Sequence, residues 1–151
     1  MLRSSVASVF NKPILAPILE HRPLCVAITG ATILHLILVA YGLPSWQSPV
    51  RLVFGILDPG GGLTRAILAL FRGDWQTSLT FHAFGLPLTI ALDLIALAAI
   101  LPVSSRDKMA GWVGEIERRT GLTAILLIGF FIYWLVRLLI LGDPYIELIV
   151  G

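Results

Sequence analysis

The sequence predicts an all-α integral membrane protein with three transmembrane helices, a glycine-rich re-entrant or interfacial loop-helix, and an amphipathic helix on the inner surface. Three observations carry this. Only 13% of the 151 residues are charged and 57% are hydrophobic, far from the roughly 25% charged of average soluble domains. The apolar residues fall into runs about as long as a bilayer core is thick. The basic residues cluster at the N-terminus and between two of those runs, as membrane topology would place them. The whole chain, 1–151, reads as one membrane domain without internal repeats. A formal charge of +2 gives no argument for a nucleic-acid partner. Cys25, the single cysteine, excludes an internal disulfide or a cysteine metal cluster, and no cofactor or metal site is expected.

Residues 1–23 carry Arg3, Lys12 and Arg22 against Glu20. Prolines at 13, 17 and 23 disfavour a long regular helix there, so the segment reads as a cytoplasmic lead-in. The same prolines interrupt any signal-peptide core, and no cleavage pattern follows. Residues 24–43 have no formal charge and suffice to cross a core of about 30 Å at about 1.5 Å per residue. His35 lies near the middle of this first span, on a stripe of small residues with Ala27, Ala31 and Gly42. Pro44, Trp46 and Pro49 end it at an aromatic-bearing interface.

Residues 52–73 are apolar enough to pass as a second span, but Asp58-Pro59-Gly60-Gly61-Gly62 interrupts them. A helix interior there would lose a backbone hydrogen bond at Pro59 and roughly 1 kcal/mol per glycine. The charge rule argues the same way. If 52–73 does not cross, Arg3, Lys12, Arg22, Arg106, Lys108, Arg118 and Arg119 all lie on the cytoplasmic side. The segment is therefore expected to be a loop feeding a helix on the outer side, where the N-H groups at the helix start, the dipole and Arg65 favour an anion. Gly60, Gly61, Gly62, Thr64 and Arg65 are its candidate ligand-binding residues; backbone geometry alone is the competing reason for the glycines.

Gly73 and Asp74 form a helix stop and restart, Asp74 being an N-cap candidate. Residues 80–102 make the second span, with Pro87 in its first turn and Asp93 near its middle, flanked by Thr89 and Ala96. His35 and Asp93 fall at similar depth and form a candidate intramembrane polar pair. In 103–119, Met109, Trp112, Val113 and Ile116 follow the helical apolar period. Ser104 with Asp107 resembles a capping box, and Glu115 can pair with Arg119. Such a helix rests on the inner membrane surface or binds a partner. Residues 121–141 form the third span, near whose outer end Arg137 is expected to snorkel.

Pro59-Gly60-Gly61-Gly62-Leu63-Thr64-Arg65, then Arg72-Gly73-Asp74, then His82-Ala83-Phe84-Gly85-Leu86 together resemble the bacterial membrane family called domain of unknown function 2752. That family's hallmark is a Cys-Pro-x-Cys-Gly-x-Thr-Arg loop, a Gly-Asp-like turn and an Asn-Pro-Leu-like segment opening the next helix. Asp58 and Gly61 stand where the family has its cysteines, and the resemblance covers residues 50–100. It implies a bacterial inner-membrane location and no activity.

Three function classes follow from this reading. One is a subunit or accessory of a larger membrane assembly, with lipids and other membrane subunits as partners. The alternative is a binder or translocator of a lipid headgroup or small anion at the glycine loop, with Arg65, Arg72 and Arg137 on the outer half. An intramembrane enzyme has only His35 and Asp93 for a basis, since neither a His-Glu-x-x-His nor a Gly-x-Ser-x-Gly motif is present. No enzymatic activity is expected.

Overall fold

The computed structural model describes residues 11–43, 60 and 62–140. All regular structure among them is helical: α1 (Leu15–Glu20), α2 (Arg22–Ala40), α3 (Leu63–Phe71), α4 (Trp75–Phe81), α5 (Gly85–Ile100), α6 (Val103–Thr120) and α7 (Leu122–Ile140). One of these, α2, is by itself long and apolar enough to cross a membrane. The number rises to three if α4 with α5, bent by 108°, and α6 with α7, bent by 65°, each count as one span. These apolar helices point to a membrane protein. In the second of those pairs the apolar stretch belongs to α7, because α6 carries seven charged residues in its 18 positions. Of the expected loop-helix, the helix begins at Leu63, while 52–59 and Gly61 lie outside the described residues.

The chain divides into two compact units. The first comprises residues 1–31 and 91–129, the second 32–90 and 130–151.

In the first unit, α1 packs on α6. The core is built from Leu19, Cys25, Ile95, Ala98, Ala99, Ala110 and Val113. Three of these seven are alanines, so backbones can approach closely. Gly114 extends that logic: a Cβ there would stand 3.1 Å from the Ala16 methyl. Pro23 sits in the first turn of α2, where its missing N-H costs nothing. The Arg22 guanidinium reaches back to donate from Nε to the Ala99 carbonyl at 3.1 Å.

The buried side of α6 consists of Arg106, Ala110, Val113, Gly114 and Glu117; of the apolar-period residues Met109 packs against the core and Trp112 is exposed. Glu117 ties this side to α1. Its Oε1 accepts the N-H groups of Ile14 at 3.0 Å and Leu15 at 2.8 Å. Its Oε2 accepts that of Ala16 at 3.0 Å. The start of α1 has no side-chain cap of its own, so a carboxylate about one hundred residues downstream supplies it. Thr123 adds a hydroxyl donor to Oε1. Burial pushes the Glu117 carboxyl up, but the hydrogen bonds from Thr123, Leu15, Ala16 and Ile14 outweigh it and hold the group below its usual range. The expected Ser104 cap is not made, since the helix starts after extended Pro102. Glu115 does pair with Arg119 at 2.6 Å and also with Arg118 at 3.2 Å.

In the second unit α3 packs on α4, burying Ala66, Ile67 and Ala69. A tight turn links them. Gly73 takes φ +78°, the Asp74 N-H bonds the Ala69 carbonyl, and the Gly73 N-H bonds that of Leu70. This is the αL helix ending that glycine serves best.

Candidate functional site

The glycine loop is a structural device first. The Leu63 N-H donates to the Gly60 carbonyl at 2.9 Å and the Ala66 N-H to the Gly62 carbonyl at 2.9 Å. Gly62 caps α3 at φ +85°, and a Cβ there would lie 2.9 Å from the Phe81 carbonyl oxygen. Gly85 is equally confined, its would-be Cβ standing 2.8 Å from the Ala66 methyl and 3.0 Å from Ser78 Oγ. The loop thus brings α3, α4 and the start of α5 to backbone contact within this unit.

Two side chains following the loop point in different directions. Thr64 Oγ1 hydrogen-bonds His35 Nε2 on α2 at 3.1 Å. A residue of the expected loop site and one of the expected polar pair are therefore joined to each other. Asp93 belongs to the first unit and His35 to the second, and the Asp93 side chain is exposed.

Arg65 turns instead toward an open cavity of about 310 Å³, at the lower end of ordinary ligand clefts. Arg72, seven residues on and so on the same face of α3, reaches the same cavity. The floor is apolar, from Val39, Ala40, Leu68, Ala69 and Phe81, with Asp74 and Thr77 completing the rim. Asp74 N-caps α4, its Oδ1 accepting the Thr77 N-H at 3.0 Å. Hydrogen bonding from Thr77, and less so from the Gln76 amide, holds its carboxyl below the usual value. Two guanidinium groups over an apolar floor make a cavity suited to an anion carrying a hydrocarbon part.

Beside these elements lies an aromatic cluster. His82, fully buried, stacks on Phe130 at 5.5 Å and meets Tyr133 edge-on at 5.0 Å. Its Nδ1 accepts the Phe84 N-H at 3.1 Å, which puts the proton of the neutral ring on Nε2. Arg137 is buried with its guanidinium over the Tyr133 ring, 5.2 Å from the centroid. The snorkelling expected of it is replaced by cation-π contact inside the protein. Among the described residues no group of three or more His, Cys, Asp or Glu side chains is arranged to hold a metal ion.

Sequence reasoning singled out Arg65 and mentioned Arg72, but not the cavity they share. The signal was their seven-residue spacing on a short helix. Val39 and Ala40 carried no signal at all, being ordinary span residues.

The family model described as Protein of unknown function (DUF2752) matches residues 48–96. The resemblance carried by the loop, the Arg72-Gly73-Asp74 turn and the His82 segment is borne out over that stretch. The same stretch holds every lining residue of the cavity except Val39 and Ala40. No curated protein and no solved structure matches the chain.

Proposed function

We propose that this is a non-catalytic membrane protein that binds an anionic lipid headgroup in the Arg65–Arg72 cavity. The observation that carries the reading is the pairing of two arginines with an apolar floor in one cavity of about 310 Å³. A phosphate or carboxylate takes the planar guanidinium forks bidentately, and the start of an acyl chain covers Leu68, Ala69 and Phe81. Melting in mild detergent tests it. Anionic phosphatidylglycerol at about one hundred times its dissociation constant should stabilise the wild type by about 2.7 kcal/mol, or roughly 5 °C or more. Neutral phosphatidylcholine should not. Inorganic phosphate alone separates a free anion from a headgroup. Arg72→Gln, at an exposed position, should melt like the wild type without lipid and lose most of the shift; equal shifts in both proteins would refute the site.

The cavity sits in a proposed frame of three spans in a bacterial inner membrane, with the N-terminus cytoplasmic, the C-terminus outside and 52–73 not crossing. The positive-inside distribution supports it. Reporter fusions at Gly73 and Gly142 should both report the outer side, and a cytoplasmic signal at Gly73 would overturn the arrangement.

A second reading, a subunit of a larger membrane assembly, is favoured by Asp93. It is the only ionisable residue of α5, it stands at the ninth of 16 positions, and it is exposed. A charge at the bilayer centre costs roughly 2.5–3.5 kcal/mol on insertion scales, so lipid is a poor neighbour for it.

A further inference from the structure

We infer that the Arg65–Arg72 cavity selects a lipid whose phosphodiester carries a hydroxyl-bearing headgroup, such as phosphatidylglycerol, and that Asp74 is the residue that recognises the hydroxyl. The inference rests on the lipid reading proposed above and adds a specificity-determining side chain to it. Every residue it uses belongs to the second unit.

The turn between α3 and α4 fixes the arrangement. Arg72 ends α3, Gly73 takes the left-handed conformation and Asp74 opens α4. The Gly73 and Asp74 N-H groups are tied to the Leu70 and Ala69 carbonyls at 2.9 and 3.0 Å. A guanidinium and a carboxylate two residues apart are thereby held on the rim of one cavity, and they form no ion pair with each other. Capping α4 brings the Thr77 N-H to Oδ1, but an ionised carboxylate has about four acceptor positions and Asp74 is exposed. A carboxylate beside the arginines weakens binding of a bare anion and favours one that brings a hydrogen-bond donor with it.

Charge chooses the donor. Two guanidinium groups and one carboxylate give the cavity a single net positive charge. A phosphodiester with a hydroxyl-bearing headgroup has a single net negative charge and matches it, whereas one with an ammonium group is neutral overall and leaves the excess of the cavity unmet. The hydroxyl donates to the Asp74 carboxylate in a charge-assisted hydrogen bond while the arginines hold the phosphate.

The test melts the full-length protein in mild detergent against increasing amounts of three lipids with the same acyl chains. Phosphatidylglycerol has the phosphodiester and the hydroxyls, phosphatidylethanol the same charge without hydroxyls, and phosphatidylethanolamine an ammonium in their place. The wild type should bind phosphatidylglycerol about tenfold more tightly than phosphatidylethanol. Asp74→Ser keeps an N-cap of similar quality, so it should melt like the wild type without lipid, bind phosphatidylethanol no less tightly and show no preference between the two. Equal affinity of the wild type for both, a preference that survives Asp74→Ser, or tighter binding of phosphatidylethanolamine than of phosphatidylglycerol overturns the proposal. Glycerophosphoglycerol supplies the headgroup without acyl chains, and a shift from it as large as that from the lipid overturns the lipid as ligand. Absence of a shift from every lipid overturns the cavity reading itself, whereas equal shifts from phosphatidylglycerol and phosphatidylethanol leave the cavity standing and overturn only the selection of the hydroxyl.

Discussion

Replacing Glu117 by leucine is expected to destabilise the protein by about 3–5 kcal/mol, the cost of leaving several partly or fully buried donors without an acceptor at once. Leucine leaves the N-H groups of Ile14, Leu15 and Ala16 and the Thr123 hydroxyl facing an apolar side chain. Each buried donor left unsatisfied costs roughly 1–3 kcal/mol, moderated here because Ile14 and Leu15 are partly accessible to water. Glu117→Gln is the milder variant. Its amide oxygen can replace Oε1 and serve Ile14, Leu15 and Thr123, but its NH₂ then faces the Ala16 N-H, donor against donor. A loss of about 1–2 kcal/mol follows for that position. Melting in detergent measures both, and proteolysis near Lys12 should accelerate in step as α1 comes away from α6.

The same carboxylate makes stability depend on acidity. Its folded-state pKa lies below the usual value, so the unfolded chain takes up its proton first as pH falls. The contribution is complete above about pH 4.3, the ordinary glutamate value, and is lost as pH drops through the lower folded value. Glu117→Gln should flatten this part of the pH profile of melting.

Glu117 also shows where a sequence stops being legible. It sits among Glu115, Arg118 and Arg119, a charge run at a helix end that reads as solvated surface. Its partners are more than one hundred residues away, and no local pattern encodes a cap delivered in trans. The apolar period of α6 marks Val113 and Met109, which pack in or against the core, but it carries no sign that Gly114 and Glu117 are buried beside them. The first span was legible because length and charge suffice for it: the helix Arg22–Ala40 answers an expected 24–43. Local stops were legible too, since the Asp74 cap and the Gly73 ending depend only on neighbours. The cavity was not, because it also takes Val39 and Ala40 from α2, to which no local pattern around Arg65 points. His35 shows the intermediate case. Its depth marked it as needing a partner, and the Thr64 hydroxyl supplies one that depth alone does not name.

The glycines of the central loop give the second large effect, and comparing them separates backbone need from ligand need. Gly62→Ala is expected to cost about 2–5 kcal/mol. A non-glycine residue at φ +85° carries about 1–2 kcal/mol of left-handed strain. Its Cβ must also push the Phe81 carbonyl back from 2.9 Å, a backbone displacement of the kind that costs roughly 1–3 kcal/mol. Gly73→Ala has the same strain, at φ +78°, but nothing within 4 Å of the new methyl, so only about 1–2 kcal/mol should be lost. Gly111→Ala, in open space within α6, should gain up to about 1 kcal/mol from helix propensity alone. The order Gly62, Gly73, Gly111 in decreasing destabilisation is the signature of a loop held in shape by contact with α4. Melting of the three variants without lipid reads that order directly. If Gly62→Ala melted like Gly73→Ala, the close approach to Phe81 would not govern the loop, and the glycine at 62 would have to be explained by something that binds there.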